Sequence, residues 1–151
     1  MYESSIRKRP YSKQLYDETK NKKVYKLGSE KLFVLSKNEK RVICIEFADY
    51  VPKIREILHM TQQQFGTMCG ISTDRLSRIE NKHAVMTWSQ YTSILFLCMT
   101  NLDTKEYLFA NSILRPKVLQ YFQQKDENIP PDINVKVHEE IEKRYLEENR
   151  R

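Results

Sequence analysis

Three periodicities of apolar and polar positions follow one another along the chain. From Val24 to Phe47 the apolar residues come in short β-branched and aromatic-rich runs: Val24-Tyr-Lys-Leu27, Lys31-Leu-Phe-Val-Leu35 and Arg41-Val-Ile-Cys-Ile-Glu-Phe47. Leu-Gly-Ser-Glu and Ser-Lys-Asn-Glu-Lys, both turn compositions, separate them. This pattern predicts a two- or three-stranded antiparallel β-ribbon over 24–49. From Tyr50 the period becomes helical, with Val51, Ile54, Ile57 and Leu58 on one face. Thr61-Gln-Gln-Gln64 has capping-box spacing and opens a short helix to Cys69, which Gly70 stops. Ser72 caps a second helix carrying Leu76 and Ile79. Thr87-Trp-Ser-Gln90 repeats the capping-box spacing ahead of Trp88, Tyr91, Ile94, Leu95 and Cys98. In the tail, helices are predicted over Lys105–Leu114 and from Pro116 to about Gln124. After a linker at Asn128-Ile-Pro-Pro-Asp, a last helix capped by Asn134 carries Val137, Ile141 and Tyr145 on one stripe.

The expected fold is therefore mainly α. Residues 1–23 form a basic polar arm, 24–49 a ribbon, 50–100 a four- or five-helix domain and 101–151 a helical extension. Trp88, Tyr91, Phe96 and Tyr107 are expected in the core.

Composition narrows the class. The chain has 151 residues, 40% of them hydrophobic and 30% charged, which suits a soluble globular protein. The longest apolar run, Ile94 to Met99, is far short of the roughly 20 residues of a membrane span. No apolar stretch follows Arg7, Lys8 and Arg9, so a secretory signal is not expected. Cys44, Cys69 and Cys98 are an odd, scattered set in apolar surroundings. They read as reduced, buried thiols of a cytoplasmic protein rather than a disulfide framework or zinc site.

The net charge of +6 is uneven. Residues 1–50 carry 12 basic and 7 acidic side chains, 51–100 carry 5 and 3, and 101–151 carry 9 and 10. The positive field thus belongs to the first two thirds, as a nucleic-acid partner would favour. Only three glycines are present, Gly28, Gly66 and Gly70, so neither a P-loop nor a dinucleotide fingerprint can be written. His59, His83 and His138 have no metal-ligand spacing. Glu139, Glu140 and Glu142 sit on a charged helical face with Lys143 and Arg144, which solvated pairing explains. No catalytic residue, cofactor or metal is expected.

The informative stretch is 51–97, where two short helices are joined by Cys69-Gly70-Ile71-Ser72. Gly66 lets the second helix cross closely over the first, and Gly70 supplies a positive φ. Phe65, Ile71, Leu76 and Ile79 form the apolar wedge between the helices. The run Thr61-Gln62-x-x-Phe65-Gly66-x-x-x-Gly70-Ile71-Ser72-x-x-x-Leu76-Ser77-Arg78-Ile79-Glu80-Asn81 resembles the lambda-repressor/Cro-type (XRE-family) helix-turn-helix proteins. The resemblance covers under a third of the chain.

That resemblance implies a recognition helix, Ser72 to Asn81, lying in the DNA major groove. It implies base contacts from Thr73, Asp74, Ser77 and Arg78, with Arg78 reading guanine and Asp74 cytosine. Backbone contacts would come from Thr61, Gln62, Ser72, Arg75, Asn81 and Lys82. Gln62 matches a position that touches either a phosphate or the recognition helix. Arg55 and Glu80 match a structural salt bridge. Two departures stand out. Lys82 occupies the place where relatives usually carry glycine, so Asn81 is expected to supply the left-handed conformation. Asp74 puts a negative charge where relatives often have Gln, Ser or Arg.

The expected function is a sequence-specific double-stranded DNA-binding transcription regulator, a repressor acting as a homodimer. The tail from Thr104 onward is the expected dimer surface, through Tyr107, Leu108, Ile113, Leu114, Leu119, Tyr121 and Phe122. Arg7-Lys8-Arg9 reads either as a minor-groove arm or as a soluble tail. Lys37, Lys40 and Arg41 read either as a backbone-touching ribbon tip or as a charged edge. The alternative function is a phage or mobile-element adaptor or inhibitor that binds a protein through the ribbon or the extension, with autoregulation of its own gene. A third is a replication or transfer accessory factor that binds DNA without regulating transcription.

Overall fold

The structure, a computed structural model, describes residues 33–125, 128–133 and 137–150. The arm over 1–23, the ribbon positions 24–32 and Asn134 lie outside the described residues. The last helix, however, starts at Glu139 with His138 at its N-cap, so it is not the helix expected from a cap at Asn134, and Val137 precedes it. Those that are described belong to one unit, Phe33–Arg151. Eight helices and no strand are found among them. These are α1 Lys37–Ala48, α2 Val51–Ile57, α3 Gln62–Cys69, α4 Thr73–Glu80, α5 Trp88–Thr100, α6 Leu102–Ala110, α7 Pro116–Gln123 and α8 Glu139–Glu148.

The fold is mainly α, as expected, but the ribbon's last strand is a helix. Arg41–Phe47 lies inside α1, and Ser36-Lys-Asn-Glu39 is its capping box rather than a turn. The Glu39 amide donates to Ser36 Oγ at 3.2 Å, and the Ser36 amide donates to Glu39 Oε2 at 2.7 Å. Ile43, Cys44, Phe47 and Ala48 are buried together, the spacing of one helical face. Strand propensity is a weak preference, and a reciprocal cap plus a buried 3.6-residue stripe overrides it in Val42-Ile-Cys-Ile45. Lys37, Lys40 and Arg41 therefore stand on α1, not on a ribbon tip. Lys40 Nζ lies 5.2 Å from the centres of both the Trp88 and Tyr121 rings.

The helices from α3 to α5 follow their local signals closely. Thr61 and Thr87 form complete capping boxes at α3 and α5, and Ser72 caps α4. Gly70 ends α3 at φ +67°. The helix expected over Lys105–Leu114 instead runs Leu102–Ala110, because Asn101 Oδ1 accepts from the Asp103 and Thr104 amides and starts it early. α7 begins with Pro116 in its first turn.

α5 is the central element, packing on α1, α3 and α6, while α4 packs on α3 and α2 on α6. Val51, Ile54, Phe65, Leu76, Ile79, Tyr91, Ile94, Cys98, Leu108 and Val118 form the buried interior. Phe96 does not join it: 73% exposed, it points outward from α5. Most of the tail's apolar residues do join it. Leu108 and Leu114 are buried, and Tyr107, Ile113, Leu119 and Tyr121 pack against the core, leaving Phe122 half exposed.

The tail also holds the entering chain. The Gln124 side chain accepts from the Phe33 amide at 3.1 Å and donates to the Phe33 carbonyl at 3.2 Å. Lys117 pairs with Glu39 and Arg115 with Glu46, tying α7 to α1. No helix among the described residues is long and apolar enough to cross a membrane.

Candidate nucleic-acid interface

The α3–α4 unit is held at three places. The first is the turn. The Ile71 amide donates to the Gly66 carbonyl at 2.7 Å, and a Cβ on Gly66 would collide with the Ile71 carbonyl oxygen. Only glycine permits this approach. The second is the wedge of Phe65, Ile71, Leu76 and Ile79, each no more than 4% exposed. The amphipathic halves of α3 and α4 thus bury each other's apolar face, which fixes which face of α4 looks outward.

The third is a polar clasp at the far end of α4. Arg55 Nε donates to Glu80 Oε1 at 2.9 Å and Nη2 to Oε2 at 3.1 Å, a two-point pair. Arg55 Nη1 also donates to the Met60 carbonyl at 3.1 Å, and Gln62 Nε2 to Glu80 Oε2 at 2.7 Å. The Glu80 side chain is only 7% exposed, so its charge needs these donors. Hydrogen bonding to Glu80 raises the already high pKa of Arg55. The pair links α2 to α4 across 25 residues, and Gln62 takes the helix-touching option of its two implied roles.

The implied DNA-contacting residues divide by what already engages them. Thr73 and Asp74, in the first turn of α4, and Arg78, one turn further on, are exposed. The Arg78 side chain makes no hydrogen bond or ion pair among the described residues. Ser77 is half-buried, and Asn81 Nδ2 donates to its carbonyl at 2.9 Å and weakly to its hydroxyl at 3.4 Å. Ser72 Oγ accepts from the Arg75 amide at 3.2 Å, and Thr61 Oγ1 from the Gln64 amide at 3.2 Å. Both hydroxyls are therefore caps, with their oxygens at exposed helix starts.

Arg75 turns away from the outer face: its Nη2 donates to the Val85 carbonyl at 2.7 Å, bracing the loop between α4 and α5. Lys82 Nζ meets Asp49 Oδ1 at 2.9 Å in an exposed pair. The left-handed residue after α4 is Lys82 at φ +62°, not Asn81, which has φ −89°. Asn81 is the helix's last partner and its amide still follows the helical pattern. The reversal therefore falls one residue later, at the place glycine occupies in the family resembled. The His83 and Ala84 amides then return to the Arg78 carbonyl at 2.8 and 3.1 Å.

The sequence offered no signal for the Arg75–Val85 or Lys82–Asp49 contacts, since both depend on the path of a loop. Elsewhere, burial raises the thiol pKa values of Cys44 and Cys69 to about 11 and of Cys98 to about 12. All three are free and buried, so they stay protonated and unreactive as nucleophiles. No group of three or more His, Cys, Asp or Glu residues placed to hold a metal is found among the described residues. No protein-family model, curated protein or solved structure matches the chain.

Proposed function

We propose that this chain is a sequence-specific double-stranded DNA-binding regulator of the lambda-repressor/Cro type, with α4 as its recognition helix. The observation that carries the reading is the state of α4. Its apolar face is sealed against α3, its far end is clasped by Arg55 and Gln62, and its capped first turn presents Thr73 and Asp74, with Arg78 unengaged among the described residues beside them. A rigidly held helix with a polar leading face suits insertion into a major groove, where side chains at its start read base edges. Arg78 and Asp74 are the base readers in this proposal. Thr61, Ser72 and Lys82 are backbone contacts, and Arg75 and Asn81 act chiefly to hold the unit together. The regulator works as a repressor and as a homodimer. Because most apolar residues of α6 and α7 serve the protomer's own core, the dimer contact in this reading moves to α8, where Ile141, Tyr145 and Leu146 have no buried neighbour on the helix.

The test is selection from a random-sequence duplex pool at two salt concentrations. An inverted repeat recovered with affinity that falls steeply with salt supports a dimeric sequence reader. Weak, sequence-blind binding overturns it.

A further inference from the structure

A cleft of about 240 Å³ opens between α1, α5 and the segment joining α6 to α7. Its volume is below the roughly 300–1,000 Å³ of pockets for drug-sized ligands, so only a small molecule suits it. Tyr91 lines it and is 1% exposed, yet its hydroxyl has no hydrogen-bond partner among the described residues. Nor is that hydroxyl sealed away, because no fully buried side-chain oxygen or nitrogen among the described residues lacks a partner. Burial raises its pKa most and Arg115, which also lines the cleft, lowers it, which puts the hydroxyl within electrostatic reach of that guanidinium. Leaving such a group dry and unbonded would be destabilising.

Charges of both signs line the cleft. Arg115 lines the cleft and gives one Nη2 bond to Glu46, leaving its other N–H groups unbonded among the described residues. Glu46 and Asp49 line it too, their existing ion pairs with Arg115 and Lys82 both lying in solvent-exposed positions. Exposed pairs are weak and exchange partners readily. A simple anion would meet two carboxylates here, and a simple amine would meet the guanidinium. A molecule with one charge of each sign satisfies both.

We propose that this cleft binds a small zwitterion of the α-amino-acid class. Its carboxylate sits on Arg115 and the Tyr91 hydroxyl, and its ammonium faces Glu46 and Asp49. A short apolar side chain lies against Ile43 and Val118, which line the same cleft. The site does not rest on the DNA-binding reading, although the two share the Asp49–Lys82 pair.

The test is calorimetry on the full chain with three probes: L-valine, isobutyrate, which lacks the ammonium, and isobutylamine, which lacks the carboxylate. Valine is expected to saturate one site, at least about tenfold more tightly than either half-molecule. Tyr91→Phe removes the hydroxyl and keeps the ring that packs edge-on to Phe47 and stacks on Trp88. It is expected to weaken valine binding by about tenfold. Arg115→Gln, at an exposed position, gives the same result and carries the test if Tyr91→Phe does not fold. The proposal is overturned if valine fails to saturate at millimolar concentration or if either half-molecule binds as tightly. It is equally overturned if folded variants keep wild-type affinity.

Discussion

Gly66→Ala separates two opposing effects whose sizes decide its sign. In an ordinary helix interior, replacing glycine by alanine stabilises by about 1 kcal/mol, because the glycine backbone loses more freedom on folding. Gly66 lies inside α3. Its added Cβ would meet the Ile71 carbonyl oxygen well inside contact distance. That obstacle is backbone, so it cannot rotate aside. The same segment carries the 2.7 Å bond from the Ile71 amide to the Gly66 carbonyl, so relieving the clash stretches the turn that sets α4 on α3. Overpacking of this kind costs about 1–3 kcal/mol and, against rigid backbone, should fall near the upper end. Subtracting the helix gain leaves a net loss of about 1–2 kcal/mol. Denaturant unfolding followed by the fluorescence of Trp88, the single tryptophan, measures it directly. Gly70→Ala is the matched control. It meets nothing within 4 Å but sits at φ +67°, so it should lose about 1 kcal/mol through backbone conformation alone. A neutral or stabilised Gly66→Ala would refute the close crossing of α3 and α4.

Other outcomes are expected from the same contacts. Arg55→Ala leaves the largely buried Glu80 carboxylate with Gln62 as its remaining partner and should cost about 2–4 kcal/mol, whereas Lys53→Ala at the exposed Lys53–Glu56 pair should cost under about 1 kcal/mol; thermal unfolding of the two variants compares them. The hydrogen bond from Lys117 holds the Glu39 carboxyl down at about 2, against 4.5 ordinarily. A depressed carboxylate stabilises above its unfolded value and loses that contribution as pH falls from about 4.5 toward 2. The stability difference between the wild type and Glu39→Gln, followed by denaturation at stepped pH, should therefore shrink through that window. A constant difference would contradict the α1–α7 tie. On the proposed DNA face, Arg78→Ala should cost about 1–3 kcal/mol and relax base preference, read by competition binding with altered sites. Lys82→Ala should weaken all sequences alike and flatten the salt slope, and an unchanged slope would remove Lys82 from the backbone contacts. Native-state labelling by a thiol reagent should be slow at Cys44, Cys69 and Cys98 and speed up in denaturant, since all three are buried and protonated.

The sequence by itself determined the features made within one or two turns of chain. Thr61 with Gln64, Ser72, Thr87 with Gln90, and Gly70 are complete local instructions, each satisfying or releasing backbone groups a few residues away. The helices they bound stand where those residues place them. The wedge of Phe65, Ile71, Leu76 and Ile79 was legible for the same reason, because helical spacing collects them on one side. Ser36 with Glu39 was an equally local instruction, obscured by the β-branched run behind it. That run fits a strand by propensity and a helix by burial. Only packing of Ile43, Cys44 and Phe47 against the rest of the core decides between them. Tertiary structure alone decided which cations remain free. Arg75 and Arg78 are three residues apart on one helix, yet Arg75 is drawn to the Val85 carbonyl and Arg78 has no partner among the described residues. It likewise decided that Leu108, Leu114 and Val118 fill the protomer's own core while Phe96 stays outside. Periodicity says that a side chain shares a face with its neighbours. What covers that face depends on elements distant in sequence, and their approach is set by the whole packed interior.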